Sequence, residues 1–120
     1  FVIDSNGSRK KLFTRLFTPK ELGYALSKKN YAQHLAARFA AKEALFKALG
    51  KRAEDLEYQD VEIINIKTGM PLMIIKNKKF SPLNCLVSLS HTRYLATAIV
   101  IIVTLPNQLL TYAKHHRRTA

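Results

Sequence analysis

The chain has 120 residues, 48% of them hydrophobic, and its 20 Lys and Arg against 8 Asp and Glu give a formal net charge of +12. It reads as a single domain over residues 1–120, too apolar to stay disordered, without an apolar run long enough to span a membrane. Its one cysteine, Cys85, excludes an internal disulfide, no signal peptide is visible, and the expected location is cytoplasmic. A chain this basic should attract a polyanion, whether nucleic acid, a phosphate-rich cofactor or an acidic protein, and charge alone does not choose among them.

Residues 1–17 read as a helix with a break near Asn6-Gly7, made strongly basic by Arg9, Lys10, Lys11 and Arg15. Thr18-Pro19-Lys20-Glu21 is a second helix start: Thr18 caps, Pro19 fills the first turn and Glu21 returns to the cap, with the helix running to about Ser27. The run Asn30 to Gly50, NYAQHLAARFAAKEALFKALG, predicts a long helix. Asn30 is its cap with Gln33 in capping-box position, Ala and Leu favour the helix, and Gly50 stops it. Leu35, Phe39, Ala40, Phe46 and Leu49 suit its buried stripe. Arg38 and Lys42 lie four apart, as do Glu43 and Lys47, so each pair shares a side. In a plain core helix Glu43 and Lys47 would form a salt bridge. In a functional one the carboxylate could hold a metal and the cations could hold phosphate.

The pattern then turns to strands. Tyr58 to Lys67 alternates Asp60 and Glu62 against Val61 and Ile63. Thr68-Gly69 is a turn, and Met70-Pro71 opens a second strand, Leu72 to Ile75. Lys76, Lys78 and Lys79 fall in a solvated loop. Leu83 to Ser90 is a third strand, in which Cys85 is a small buried hydrophobe, and Tyr94 to Val103 is a buried fourth. His91-Thr92-Arg93 join the last two. Residues 104–120 form a tail, where Leu109, Leu110 and Tyr112 suit a short helix and Lys114 to Arg118 is basic. The adjacent His115 and His116 do not make a closed metal site.

Three blocks, in order and spacing, carry a family resemblance: RLFTPKEL from Arg15, ARFAAKEALFKALG from Ala37 and SLSHT from Ser88. Together, over roughly residues 8–103, they resemble the holo-acyl-carrier-protein synthases, the small bacterial type of 4′-phosphopantetheinyl transferase. The resemblance implies an α+β fold, with an antiparallel three- to four-stranded sheet packed against a long helix. It implies Mg²⁺-dependent transfer of 4′-phosphopantetheine from coenzyme A to a serine of apo-acyl carrier protein, with release of adenosine 3′,5′-bisphosphate. Glu43 matches the helix carboxylate that binds Mg²⁺, and Lys47 the lysine on the pyrophosphate. Arg38 and His91 match residues near the 3′-phosphate. Gly50 matches the glycine that opens a loop beside the phosphates. Lys11, Leu12 and Arg15 fall where relatives dock the acidic helix of the carrier. Homotrimerisation, with coenzyme A between subunits, is likewise implied, and neither a membrane nor nucleic acid is an expected partner.

Two departures stand out. The family opens with a strand carrying G-[IL]-D-[IV], whose aspartate is a magnesium ligand. An ungapped match back from Arg15 places Phe1 to Gly7 in the following helix, so that strand is apparently absent; alternatively Val2-Ile3-Asp4 is a degenerate copy of it. After Gly50 the usual Thr-Gly is replaced by Lys51-Arg52. Two competing readings follow, an inactive carrier-binding homologue and a basic nucleic-acid-binding domain.

Overall fold

The computed structural model describes residues 7–80 and 83–103. Three helices come first: α1 (Gly7–Leu16), α2 (Pro19–Leu26) and α3 (Tyr31–Leu49). Short 3₁₀ turns at Gly50–Asp55 and Tyr58–Asp60 lead to β1 (Val61–Asn65) and β2 (Pro71–Ile75). A third such turn, Lys78–Phe80, precedes β3 (Asn84–His91) and β4 (Ala96–Val103). The class is α+β, as expected. The four strands form two antiparallel hairpins, β1–β2 and β3–β4, with β2 packed beside β3. The expected break near Asn6-Gly7 falls at the limit of the described residues, and residues 1–6 and the 104–120 tail lie outside them.

Local chemistry accounts for most boundaries. The capping box at α2 is complete: Glu21 N donates to Thr18 Oγ1 at 3.3 Å, and Thr18 N donates to Glu21 Oε1 at 2.9 Å. Gly50 ends α3 with φ of 60°, a left-handed value that glycine adopts without strain. The expected cap at the other end of α3 does not form. Asn30 occupies the cap position, but its amide reaches sideways to Gln33 Oε1 at 3.4 Å and not to a backbone N–H.

α3 runs between two apolar clusters. One joins Ala41, Leu45 and Leu49 to Leu56, Val61, Ile63, Met73 and Phe80, with the inner face of the β3–β4 hairpin against it. The other joins Leu35 to Phe13, Phe17 and Ala25 of α1, the following loop and α2. Of the predicted stripe, Leu35 and Leu49 are buried, whereas Phe39, Ala40 and Phe46 are half-buried. The buried set includes Ala37, Ala41 and Leu45 instead, and also two cations, Arg38 and Lys42. A helix covered on two sides has no single apolar stripe, which is why periodicity misplaces it.

β4 differs from expectation as well. It is not buried on both faces. Ala96, Ala98, Val100 and Ile102 turn inward with Cys85, Val87 and Leu89 of β3, while Ile99 and Ile101 remain 64% and 54% exposed on the outer face beside Leu86. A continuous apolar run suits a strand with two covered faces, and among the described residues only one is covered.

Candidate functional site

The first turn of α3, the β1–β2 turn and the end of β3 enclose a cavity of about 340 Å³, bordered by His34, Arg38, Gly69, Met70, Ser88 and His91 among others. Arg38 is its principal charge. Its side chain is 2% exposed, one Nη donates to Asn65 Oδ1 at 2.6 Å, and the guanidinium lies 4.5 Å from the centre of the Tyr24 ring. Asn65 in turn donates to Gly69 O at 2.9 Å, tying the arginine to the turn that borders the cavity. Burial pulls the Arg38 pKa down, against the opposing pull of Glu21 and Tyr24. An arginine stays charged through such a shift. Its Nε is buried and has no hydrogen-bond partner. A buried cation with an unused donor beside a cavity suits an anion.

His91 reaches the same cavity from β3. Its Nδ1 lies 2.9 Å from Gln33 Oε1, and its ring packs edge-on against His34 with centroids 5.1 Å apart. The structure thus brings Arg38 and His91 to the border of one cavity. It also adds Gln33, His34, Tyr24 and Asn65, which sequence reasoning missed. The sequence offers Gln33 only as a capping-box residue of α3. Its contact with His91 spans 58 residues and leaves no local signal.

Glu43 lies five residues beyond Arg38, about 7.5 Å further along the helix axis, and does not border this cavity. It is half-buried and accepts a 2.6 Å hydrogen bond from the Tyr58 hydroxyl. That bond, helped by burial and by the carboxylate's charge, pushes the Tyr58 phenol up to about 12. Phe39 and Phe46 pack on the Tyr58 ring and hold it in place. The expected Glu43–Lys47 salt bridge is not made among the described residues; Lys47 is exposed in the last turn of α3. Among the described residues no three metal-binding side chains cluster. One such carboxylate nonetheless fits Mg²⁺, which keeps most of its waters and shares phosphate oxygens. Asp4, the other candidate carboxylate, lies outside the described residues, as do His115 and His116.

Gly50, Lys51 and Arg52 form the tight turn after α3, where Arg52 Nε donates to Leu49 O at 3.3 Å. On α1, Lys11, Leu12 and Arg15 are all exposed, giving a mixed basic and apolar surface. The end of α1 is fastened from below. Lys42 Nζ donates to Leu16 O at 2.7 Å, and Gln59 Nε2 donates to Phe17 O at 2.7 Å and also to Thr14 O.

The fold has known counterparts. A model of the 4′-phosphopantetheinyl transferase superfamily matches residues 2–100, and the chain belongs to that superfamily. The holo-[acyl-carrier-protein] synthase of Geotalea daltonii is 39% identical over 109 residues, which are 85% of this chain and 85% of that one. The holo-[acyl-carrier-protein] synthase of Geobacter metallireducens is 44% identical over 100 residues, 77% of this chain and 79% of its own. Among solved structures, Helicobacter pylori holo-[acyl-carrier-protein] synthase in complex with coenzyme A aligns with a TM-score of 0.68 at 27% identity, covering 82% of this chain and 86% of that one.

Proposed function

We propose that this chain is a holo-acyl-carrier-protein synthase, moving 4′-phosphopantetheine from coenzyme A to a serine of apo-acyl carrier protein. The serine oxygen bonds to the β-phosphorus as the bond to the α-phosphate oxygen breaks. The serine proton passes to solvent, and adenosine 3′,5′-bisphosphate leaves with the bridging oxygen. The single observation that carries this reading is Arg38: a buried, tethered guanidinium with an unpartnered Nε beside a cavity shared with His91. Those two residues hold the 3′-phosphate. Lys47, further along α3, neutralises the pyrophosphate, and the turn beginning at Gly50 lies alongside it. Glu43, oriented by Tyr58, holds Mg²⁺, and a bound Mg²⁺ would supply charge neutralisation on the pyrophosphate. Most of the catalysis is then positioning and electrostatics, because little covalent chemistry falls to the protein.

Lys11, Leu12 and Arg15 receive the acidic carrier, the basic pair steering it and Leu12 supplying apolar contact. Three copies assemble. The uncovered outer face of the β3–β4 hairpin, with Leu86, Ile99 and Ile101 at 60%, 64% and 54% exposure, supports self-association. Among the described residues no helix is long and apolar enough to cross a membrane, in keeping with soluble, cytoplasmic work on a carrier protein. Calorimetric titration with coenzyme A, with and without Mg²⁺, tests the reading. Saturable binding strengthened by Mg²⁺ is expected; no binding under either condition refutes it.

A further inference from the structure

The His91 ring is held in one tautomer. Gln33 Oε1 faces Nδ1 at 2.9 Å, and the same oxygen accepts from Asn30 Nδ2 at 3.4 Å, so Nδ1 must be the nitrogen that donates. A neutral imidazole carries a single N–H. Once Nδ1 has it, Nε2 is a bare lone pair, which repels a phosphate oxygen. Only the imidazolium can donate from both nitrogens.

The groups around the ring are basic, aromatic or apolar. From α3 come His34 and Arg38; from α2 and the residues after it come Tyr24 and Lys28. β3 presents Val87 and Leu89, and the β1–β2 turn presents Gly69, Met70 and Pro71, none of them ionisable. Burial, then His91, Arg38 and Lys28, all lower the pKa of His34, and no carboxylate opposes them. A dianionic ligand adds a negative charge beside the ring, and an opposite charge favours the protonated imidazole.

We propose that a phosphate monoester entering this cavity is bound together with a proton, taken up at His91 because Gln33 already occupies the ring's other nitrogen. Gln33 is then a positioning residue that makes phosphate recognition pH-dependent. This rests on the reading of the cavity as the 3′-phosphate site of coenzyme A, and it adds the proton to that reading. The sign follows directly. A phosphate monoester is dianionic above pH of about 6, so above that the ligand's charge is constant. Raising pH removes the imidazolium, and affinity falls.

The test is calorimetry on the full chain with coenzyme A and with dephospho-coenzyme A. Titrations run from pH about 6.5 to about 8.5, the range in which imidazoles lose their proton, in buffers of different ionisation enthalpy. Coenzyme A affinity should fall severalfold as pH rises across the range, with net proton uptake on binding. Dephospho-coenzyme A should show neither effect. Gln33→Leu releases the ring to place its single proton on Nε2, so the pH slope and the proton uptake should both shrink. Gln33→Glu stabilises the imidazolium and should move the fall in affinity to higher pH. Gln33 is half-buried in the first turn of α3, and circular dichroism checks that both variants fold. Equal pH dependence for the two coenzymes, or a wild-type slope in Gln33→Leu, overturns the proposal. Failure of both coenzymes to bind at any pH is a different result: it removes the coenzyme reading of the cavity, and this inference with it.

Discussion

Glu43 and Tyr58 form a pair in which each residue reports on the other. The 2.6 Å bond between them orients the carboxylate and holds the phenol's proton up to about 12. Because that value lies above the usual tyrosine pKa of about 10, the bond's contribution to stability is complete below about pH 10. It is lost as pH rises through about 12. Glu43→Gln keeps the shape and removes the charge. Two outcomes are expected: phosphopantetheine transfer falls by roughly a hundredfold or more, and the Tyr58 phenolate, followed by ultraviolet absorbance, appears at lower pH. Wild-type turnover in this variant at ordinary Mg²⁺ would exclude a metal role. At this scale the sequence was only partly readable. Glu43, Arg38 and His91 stood out through the blocks they belong to, whereas Tyr58 read as the start of a strand. Nothing in the local pattern could show a hydroxyl aimed at a carboxylate fifteen residues away.

Between elements, the strongest tie is an ion pair without solvent contact. Lys42 Nζ lies 2.6 Å from Glu21 Oε1, with both side chains fully buried. The same ammonium donates to Leu16 O and Tyr58 O, and Glu21 accepts from Thr18 N and Ile63 N. One pair thereby fixes the end of α1, the start of α2, α3, the Tyr58 turn and β1. Burial alone would lower the Lys42 pKa, and Glu21 opposes that loss. Lys42→Met strands a buried carboxylate and should cost about 3–5 kcal/mol in chemical denaturation, partly recovered by adding Glu21→Gln. A loss no larger than that of an exposed Lys→Met change would contradict this account. Both residues were visible in the sequence, Glu21 as half of a capping box and Lys42 as one charge in an alanine-rich helix. Their pairing was not, since the cap role already satisfied Glu21 locally. On α1 the expected function is separate from this support. Reversing Lys11 and Arg15 to Glu should raise the KM for carrier protein and flatten its salt dependence, leaving coenzyme A affinity nearly unchanged. An unaltered KM would make the segment a solvated face only.

For the molecule as a whole, the uneven covering of the β3–β4 hairpin sets the expectation. The alternation that turns Val100 and Ile102 inward leaves Ile99 and Ile101 outside, and among the described residues nothing covers them. Sequence periodicity identified the strand but not which face lacked a cover, because an unbroken apolar run carries no alternation to tell the two faces apart. Sedimentation should give three times the chain mass, and Ile99→Lys should return it to one; a monomeric wild type would contradict assembly through this face. The central claim is the transfer itself. It is tested most directly by mass spectrometry of an apo-acyl carrier protein incubated with this chain, coenzyme A and Mg²⁺. The account predicts that the carrier gains the mass of one phosphopantetheine group on its serine, and that adenosine 3′,5′-bisphosphate appears in equal amount. A carrier of unchanged mass, under conditions in which coenzyme A is bound, would contradict it.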